Sequence, residues 1–219
     1  MTNKKDHLVV FLLTTSLFIT GIFAGVLISK DRINEVETRI NSFENNMKSI
    51  ELSYLINDAL NNETLSCRFL QSKINETQTE LLALGERAVD YEASTKIKND
   101  DYNELKIQYN SLRAEYWLML EKLKRQCDNN YTTILYFYST STPCPDCRDQ
   151  GVILTHVSSL IKSVFVVPLD YDEDVLIVST IKEAYSINET PTVIIDASTK
   201  MVGLISEEEL INLLLTYQS

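Results

Sequence analysis

Thr133-Ile134-Leu135-Tyr136-Phe137-Tyr138, a short loop over 139–143, and then Cys144-Pro145-Asp146-Cys147 form the stretch that decides the fold. The first six residues are β-branched, aliphatic and aromatic without a break, which predicts a buried strand. Beyond the cysteines, Val152, Ile153, Val157, Leu160 and Ile161 recur at helical spacing and predict a helix within 148–162. A second strand is predicted over 164–169, a helix over 173–185, and a hairpin of strands over 192–196 and 201–205 around 197–200. Ser206 and Glu209 form a capping box that opens a last helix, with Leu210, Leu213 and Leu214 facing inward. The predicted order is β-α-β-α-β-β-α. A helix joins the first two strands, so they run parallel through a right-handed crossover.

That order puts Cys144 at the carboxyl end of a strand and the amino end of a helix. Unpaired N–H groups and the helix macrodipole stabilise a thiolate there, below the ordinary thiol value of about 8.5. Pro145 suits the first helical position, where no N–H donor is needed. Asp146 opposes the thiolate and Arg148 favours it. Two cysteines separated by two residues on a first turn can close a small disulfide. Cys144, the outer one, exchanges with a partner sulfur, and Cys147, deeper in the turn, resolves the mixed disulfide. The rival readings are a metal site and an inert surface pair. One CxxC supplies two of the four ligands zinc needs, and His156 is the only other candidate nearby, so no metal or other cofactor is expected.

These residues carry a resemblance. The strand, the CPxC helix start and Thr190-Pro191 just before the third strand resemble the thioredoxin superfamily over 131–219, in the form seen in glutaredoxins and periplasmic disulfide oxidoreductases. The resemblance implies a thioredoxin-like fold and thiol-disulfide exchange on protein thiols and disulfides, with Cys144 and Cys147 catalytic. It also implies a cis Pro191, with Thr190, Pro191 and Pro145 against an extended substrate segment. The family's habits add a membrane-embedded redox partner. Three positions depart from thioredoxins proper. Pro143 stands where they carry Trp, Tyr136 where they carry a buried acid, and Gly151-Val152 where they carry a kinking proline. Pro168 falls in the second strand, an edge strand in the family's smaller members, where proline is tolerated.

Upstream the chain reads differently. Three sets of residues alternate in steps of three and four: Ile33 to Asn57, Cys67 to Tyr91, and Tyr102 to Gln126. Each predicts a helix with one apolar stripe, as in coiled coils and bundles. If the second and third helices form an antiparallel hairpin turning near Ile97, Cys67 faces Cys127, and Leu70, Ile74 and Leu81 meet Leu123, Met119 and Leu112. A Cys67–Cys127 disulfide is then in reach; two reduced cysteines acting as small apolar residues are the alternative. A disulfide persists in an oxidising compartment, and sequons at Asn62, Asn75, Asn130 and Asn188 are compatible with one.

Residues 8–28 carry no charge and are long enough to span a bilayer, so an uncleaved anchor is favoured over a cleaved signal peptide. Gly21 and Gly25 give a spacing that lets two spanning helices approach, which with the stalk offers a route to a homodimer. Lys4 and Lys5 precede the run while Lys30, Arg32 and Arg39 follow it, so loop charge does not orient it.

The chain has 219 residues, with 20 basic against 31 acidic, a formal charge of −11. That excess disfavours nucleic-acid binding. The sequence therefore predicts an α+β chain in three parts: a membrane anchor over 1–29, a helical hairpin or bundle stalk over 30–129, and a thioredoxin-like domain over 130–219. Its expected place is the cell membrane, single-pass, with the C-terminal domain extracytoplasmic, the bilayer being met through 8–28. The expected activity is thiol-disulfide exchange; the alternative is a non-enzymatic scaffold of a membrane assembly in which the CPDC pair is passive.

Overall fold

A computed structural model describes residues 11–21, 63–93, 99–127 and 129–217. The chain divides into two compact units, Met1–Leu55 and Ile56–Ser219. Among the described residues the architecture is mixed α+β, with six helices and one four-stranded sheet.

In the first unit the described part is α1 (11–21), an exposed helix whose Thr14, Thr15 and Thr20 hydroxyls donate back to carbonyls one turn earlier. No helix among the described residues is long and apolar enough to cross a membrane. This overturns the transmembrane anchor expected over 8–28. The localisation that it carried, a single-pass membrane protein with its C-terminal domain outside the cytoplasm, is withdrawn with it. The rest of the 8–28 run, and the heptad stripe from Ile33 to Asn57, lie outside the described residues.

The second unit holds the remaining elements in the order α2 (Glu63–Ala93), α3 (Asn99–Cys127), β1 (Thr132–Tyr138), α4 (Pro145–Leu160), β2 (Val164–Asp170), α5 (Leu176–Ala184), β3 (Thr192–Ile195), β4 (Thr199–Val202) and α6 (Glu207–Tyr217). The sheet order is β2-β1-β3-β4. β1 runs parallel to β2, with Tyr136 beside Pro168, and antiparallel to β3, with Tyr136 opposite Val193. β2 is therefore an edge strand, where a proline in mid-strand is tolerated. Asp196 and Ala197 both take positive φ, 50° and 51°, so the β3–β4 turn is tight and β4 starts at Thr199, ahead of the expected position.

One face of the sheet builds a core from Ile134, Tyr136, Val193 and Ile195 against Leu154 and Val157 of α4 and Leu210 and Leu214 of α6. The other face presents Leu135, Phe137 and Ile194, all fully buried. It meets α3, which also packs against α5. The α2–α3 pair thus does not stand apart from the sheet. Leu84 packs with Leu105 and Leu112 between the two helices, and the Cys67–Cys127 disulfide, Cα atoms 5.8 Å apart, closes the end away from the turn. By loop entropy a cross-link over 60 residues contributes about 4 kcal/mol.

A second stripe of α3 meets the sheet. Asn110, 2% exposed, donates from Nδ2 to the Asp170 carbonyl at 3.0 Å, and the Asp170 N–H donates to Asn110 Oδ1 at 2.8 Å. Lys106 pairs with Glu173 at 2.5 Å and Lys124 with Asp196 at 2.7 Å. The Thr133 hydroxyl donates to Glu121, and the Trp117 ring meets Tyr185 edge-on.

Two outcomes are expected. Asn110→Ala leaves two buried backbone groups of Asp170 unpaired and lowers the unfolding free energy by about 2–4 kcal/mol, read from chemical denaturation. On the α3 face toward α2, burial pushes the Glu115 carboxyl up to about 7; the Glu80 charge adds to the rise and Lys73 opposes it. The folded chain thus holds this proton more tightly than the unfolded one. Its contribution is complete below the unfolded value of 4.5 and is lost as pH rises through about 7. Stability should fall over that window by up to about 3 kcal/mol, and Glu115→Gln should flatten the fall in denaturation curves taken across pH.

Candidate active site

β1 delivers the chain to the loop over 139–143, and that loop is pinned by one carboxylate. Asp172 Oδ2 accepts from the Thr140 N–H at 2.8 Å, the Ser141 N–H at 2.7 Å and the Ser139 hydroxyl at 2.7 Å. Burial works to raise the Asp172 carboxyl, but the hydrogen bonds led by that from Ser141 outweigh it and hold the group below the ordinary value. Asp170 Oδ2 takes the Thr140 hydroxyl at 2.7 Å. The loop thus enters α4 in a set direction.

Cys144 is the N-cap of α4, and Pro145 occupies the first turn, where its missing donor costs nothing. The Cys147 N–H points at Cys144 Sγ, 3.2 Å away. Such a contact places a partial positive charge against the sulfur. Cys144 and Cys147 form a disulfide with Cα atoms 5.2 Å apart. Cys144 is half-buried, whereas Cys147 is 6% exposed. On the far side, Cys144 Sγ lies 3.8 Å from the Thr190 carbonyl oxygen, and the Thr190–Pro191 bond is cis. The Pro191 carbonyl accepts from the Gly203 N–H at 2.8 Å, which ties this segment to the chain leaving β4.

The structure therefore brings Cys144, Cys147, Pro145, Thr190 and Pro191 to one place. It puts the Cys67–Cys127 disulfide in the helical hairpin. Contacts that sequence reasoning missed hold the site together. Gln150, fully buried on α4, accepts the Ile205 N–H at 2.7 Å through Oε1 and so fixes α4 to the segment before α6. The Tyr136 hydroxyl donates to the Cys147 carbonyl. Burial raises its ionisation well above the usual phenol range, with Tyr138 adding to the effect, so it remains a protonated donor.

A cleft of about 360 Å³ opens on the other side of the disulfide, lined by Cys144, Cys147, Arg148, Tyr136, Tyr138 and Arg113 among others. Among the described residues no cluster of His, Cys, Asp and Glu is arranged to hold a metal ion.

No protein-family model and no curated protein matches the chain. Solved structures that resemble part of it include thioredoxins. One is a chloroplastic thioredoxin z, 20% identical, with 45% of this chain and 88% of that one covered at a TM-score of 0.36. Another is a reduced thioredoxin pre-protein of Schistosoma mansoni, 22% identical, with 45% and 89% covered at 0.35.

The unequal exposure of the two sulfurs gives an expected outcome. After mild reduction, iodoacetamide should modify Cys144 well before Cys147, as read from the masses of proteolytic peptides. Equal rates would contradict the placement of Cys147 beneath the helix start.

Proposed function

We propose that this chain is a thiol-disulfide oxidoreductase acting on protein thiols and disulfides through Cys144 and Cys147. The observation that carries the reading is the seat of Cys144. Its sulfur caps a helix, receives the Cys147 N–H at 3.2 Å and stays accessible while its partner is buried. A thiolate there is stabilised by amide dipoles that are already in place and need no reorganisation.

In the oxidising direction a client thiolate bonds to Cys144 Sγ as the Cys144–Cys147 bond breaks, its electron pair leaving on Cys147. A second client thiolate then takes the client sulfur from the mixed disulfide and frees Cys144. The client loses two electrons and two protons and the CPDC pair gains them. The reducing direction is the same path reversed, with Cys147 as the resolving thiolate. The segment of client beside its sulfur would lie along Pro145 and the Thr190–Pro191 backbone. Which direction runs is set by the stability of the dithiol relative to the disulfide, against that of the client.

Removing the resolving group tests the reading. Cys147→Ala, reduced and mixed with disulfide-bearing proteins, should accumulate covalent adducts at Cys144 that a dithiol releases, and it should lose multiple turnover. Cys144→Ala should form none. A wild-type pair that a dithiol fails to reduce, together with no adducts on Cys147→Ala, would leave the CPDC bridge as a passive disulfide of a scaffold.

A further inference from the structure

The cleft beside the disulfide is lined by two arginines of different origin. Residues 131–219 carry four basic side chains against twelve acidic ones. Of those four, Arg148 alone lines the cleft, from α4, and it is exposed. The second arginine, Arg113, comes from α3.

Arg113 is held on two sides. Its guanidinium carbon sits 3.7 Å from the centroid of the Tyr109 ring, and its Nη1 donates to the Tyr138 hydroxyl at 3.3 Å. Tyr109 is seated in turn against α2. A methyl group on Gly85 would fall 2.9 Å from the Tyr109 hydroxyl oxygen, so only the bare glycine lets the ring come this close. A line of contacts therefore runs from Gly85 of α2 through Tyr109 and Arg113 to Tyr138 and the wall of the cleft.

The groups around the cysteine pair are few. α4 brings Asp146 and Arg148, with the arginine in the cleft lining. β1 brings Tyr136 and Tyr138, both of which burial keeps protonated. β2 brings the uncharged Pro168, and α3 brings Arg113. No carboxylate lines this cleft. The charged side chains that line the cleft are both arginines.

We infer that Arg113 is a positioning residue of the redox centre: its charge, set in place by the helical hairpin, stabilises the Cys147 thiolate released when the disulfide opens. The inference rests on the exchange reading above. In the step already written, the bond between Cys144 and Cys147 breaks toward Cys147. A client dithiol supplies the two electrons and both protons. Arg113 bears on the charge that the departing sulfur acquires. A more stable leaving thiolate speeds the opening and favours the dithiol form, so the centre becomes more oxidising.

The test uses the full chain, equilibrated with the dithiothreitol couple, and the thiolate absorbance titrated against pH. Arg113→Met should shift the equilibrium about tenfold toward the disulfide, equivalent to about 30 mV, and raise the thiol titration midpoint. Arg113→Lys should keep most of the wild-type behaviour, because it keeps the charge. Tyr109→Leu, which removes the stack and leaves the arginine, should fall between. A folded Arg113→Met that equilibrates and titrates like the wild type overturns the inference, as does an Arg113→Lys that behaves like Arg113→Met. If Arg113→Met fails to fold, a folded Tyr109→Leu that equilibrates and titrates like the wild type overturns it. A wild type that exchanges no thiols sinks the oxidoreductase reading instead; unchanged variants in a chain that does exchange sink this inference alone.

Discussion

The side-chain amide of Asn110 does for β2 what a neighbouring strand would do. It gives one hydrogen bond to the backbone of Asp170 and takes one from it, at 3.0 and 2.8 Å, inside the protein. Burial of so polar a side chain is tolerated because both of its ends are paired. The pairing sets the register of α3 against the sheet. From that register Lys106 reaches Glu173, Trp117 meets Tyr185, and Lys124 reaches Asp196. Asp170 passes the constraint on: its carboxylate accepts from Thr140 in the loop before the cysteines and from the Asp172 N–H at 3.0 Å. The placement of Cys144 is thus tied to a helix that precedes the whole β-sheet in the chain.

The elements most legible in the sequence are those written in local pattern. The apolar run of β1, the Cys-Pro helix start and the Ser206–Glu209 cap, seen as the Glu209 N–H on Ser206 Oγ at 3.3 Å, are each decided by neighbours a few residues apart. The facing of Cys67 and Cys127 follows from the arithmetic of an antiparallel hairpin. The long-range polar fasteners were not legible. Asn110 and Asp170 are 60 residues apart, and Gln150 and Ile205 are 55 apart. On α3 the stripe that meets the sheet is Asn110, Arg113, Trp117, Glu121 and Lys124. It has helical spacing, but its polar side chains read as a solvated face. The membrane expectation rested on an uncharged apolar run, which gives only the greatest length a helix within it could have; no helix among the described residues is long and apolar enough to cross a membrane.

In the cleft beside the cysteines the polar side chains that line the wall are neutral donors and cations. The Tyr136 hydroxyl holds the Cys147 carbonyl without carrying a charge, and its ring forms part of the core beneath the sheet. A carboxylate in that place would repel a forming thiolate and titrate along with it. A phenol kept protonated by burial does neither. The helical hairpin adds Arg113 to the same cleft. The site is in this sense shared between the sheet domain and the two helices in front of it.

β2 also bears on how the molecule behaves in a crowd. In the parallel register with β1, the peptide groups of Val164, Val166, Pro168 and Asp170 turn away from the sheet. The Val164 amide is taken by the Ile161 carbonyl at 3.0 Å, Pro168 has no amide to offer, and Asn110 occupies Asp170. Among the described residues Val166 is left as the one donor of that border. A solitary amide cannot template a ladder, so the border resists recruiting strands from other molecules, a common first step toward fibrous aggregates.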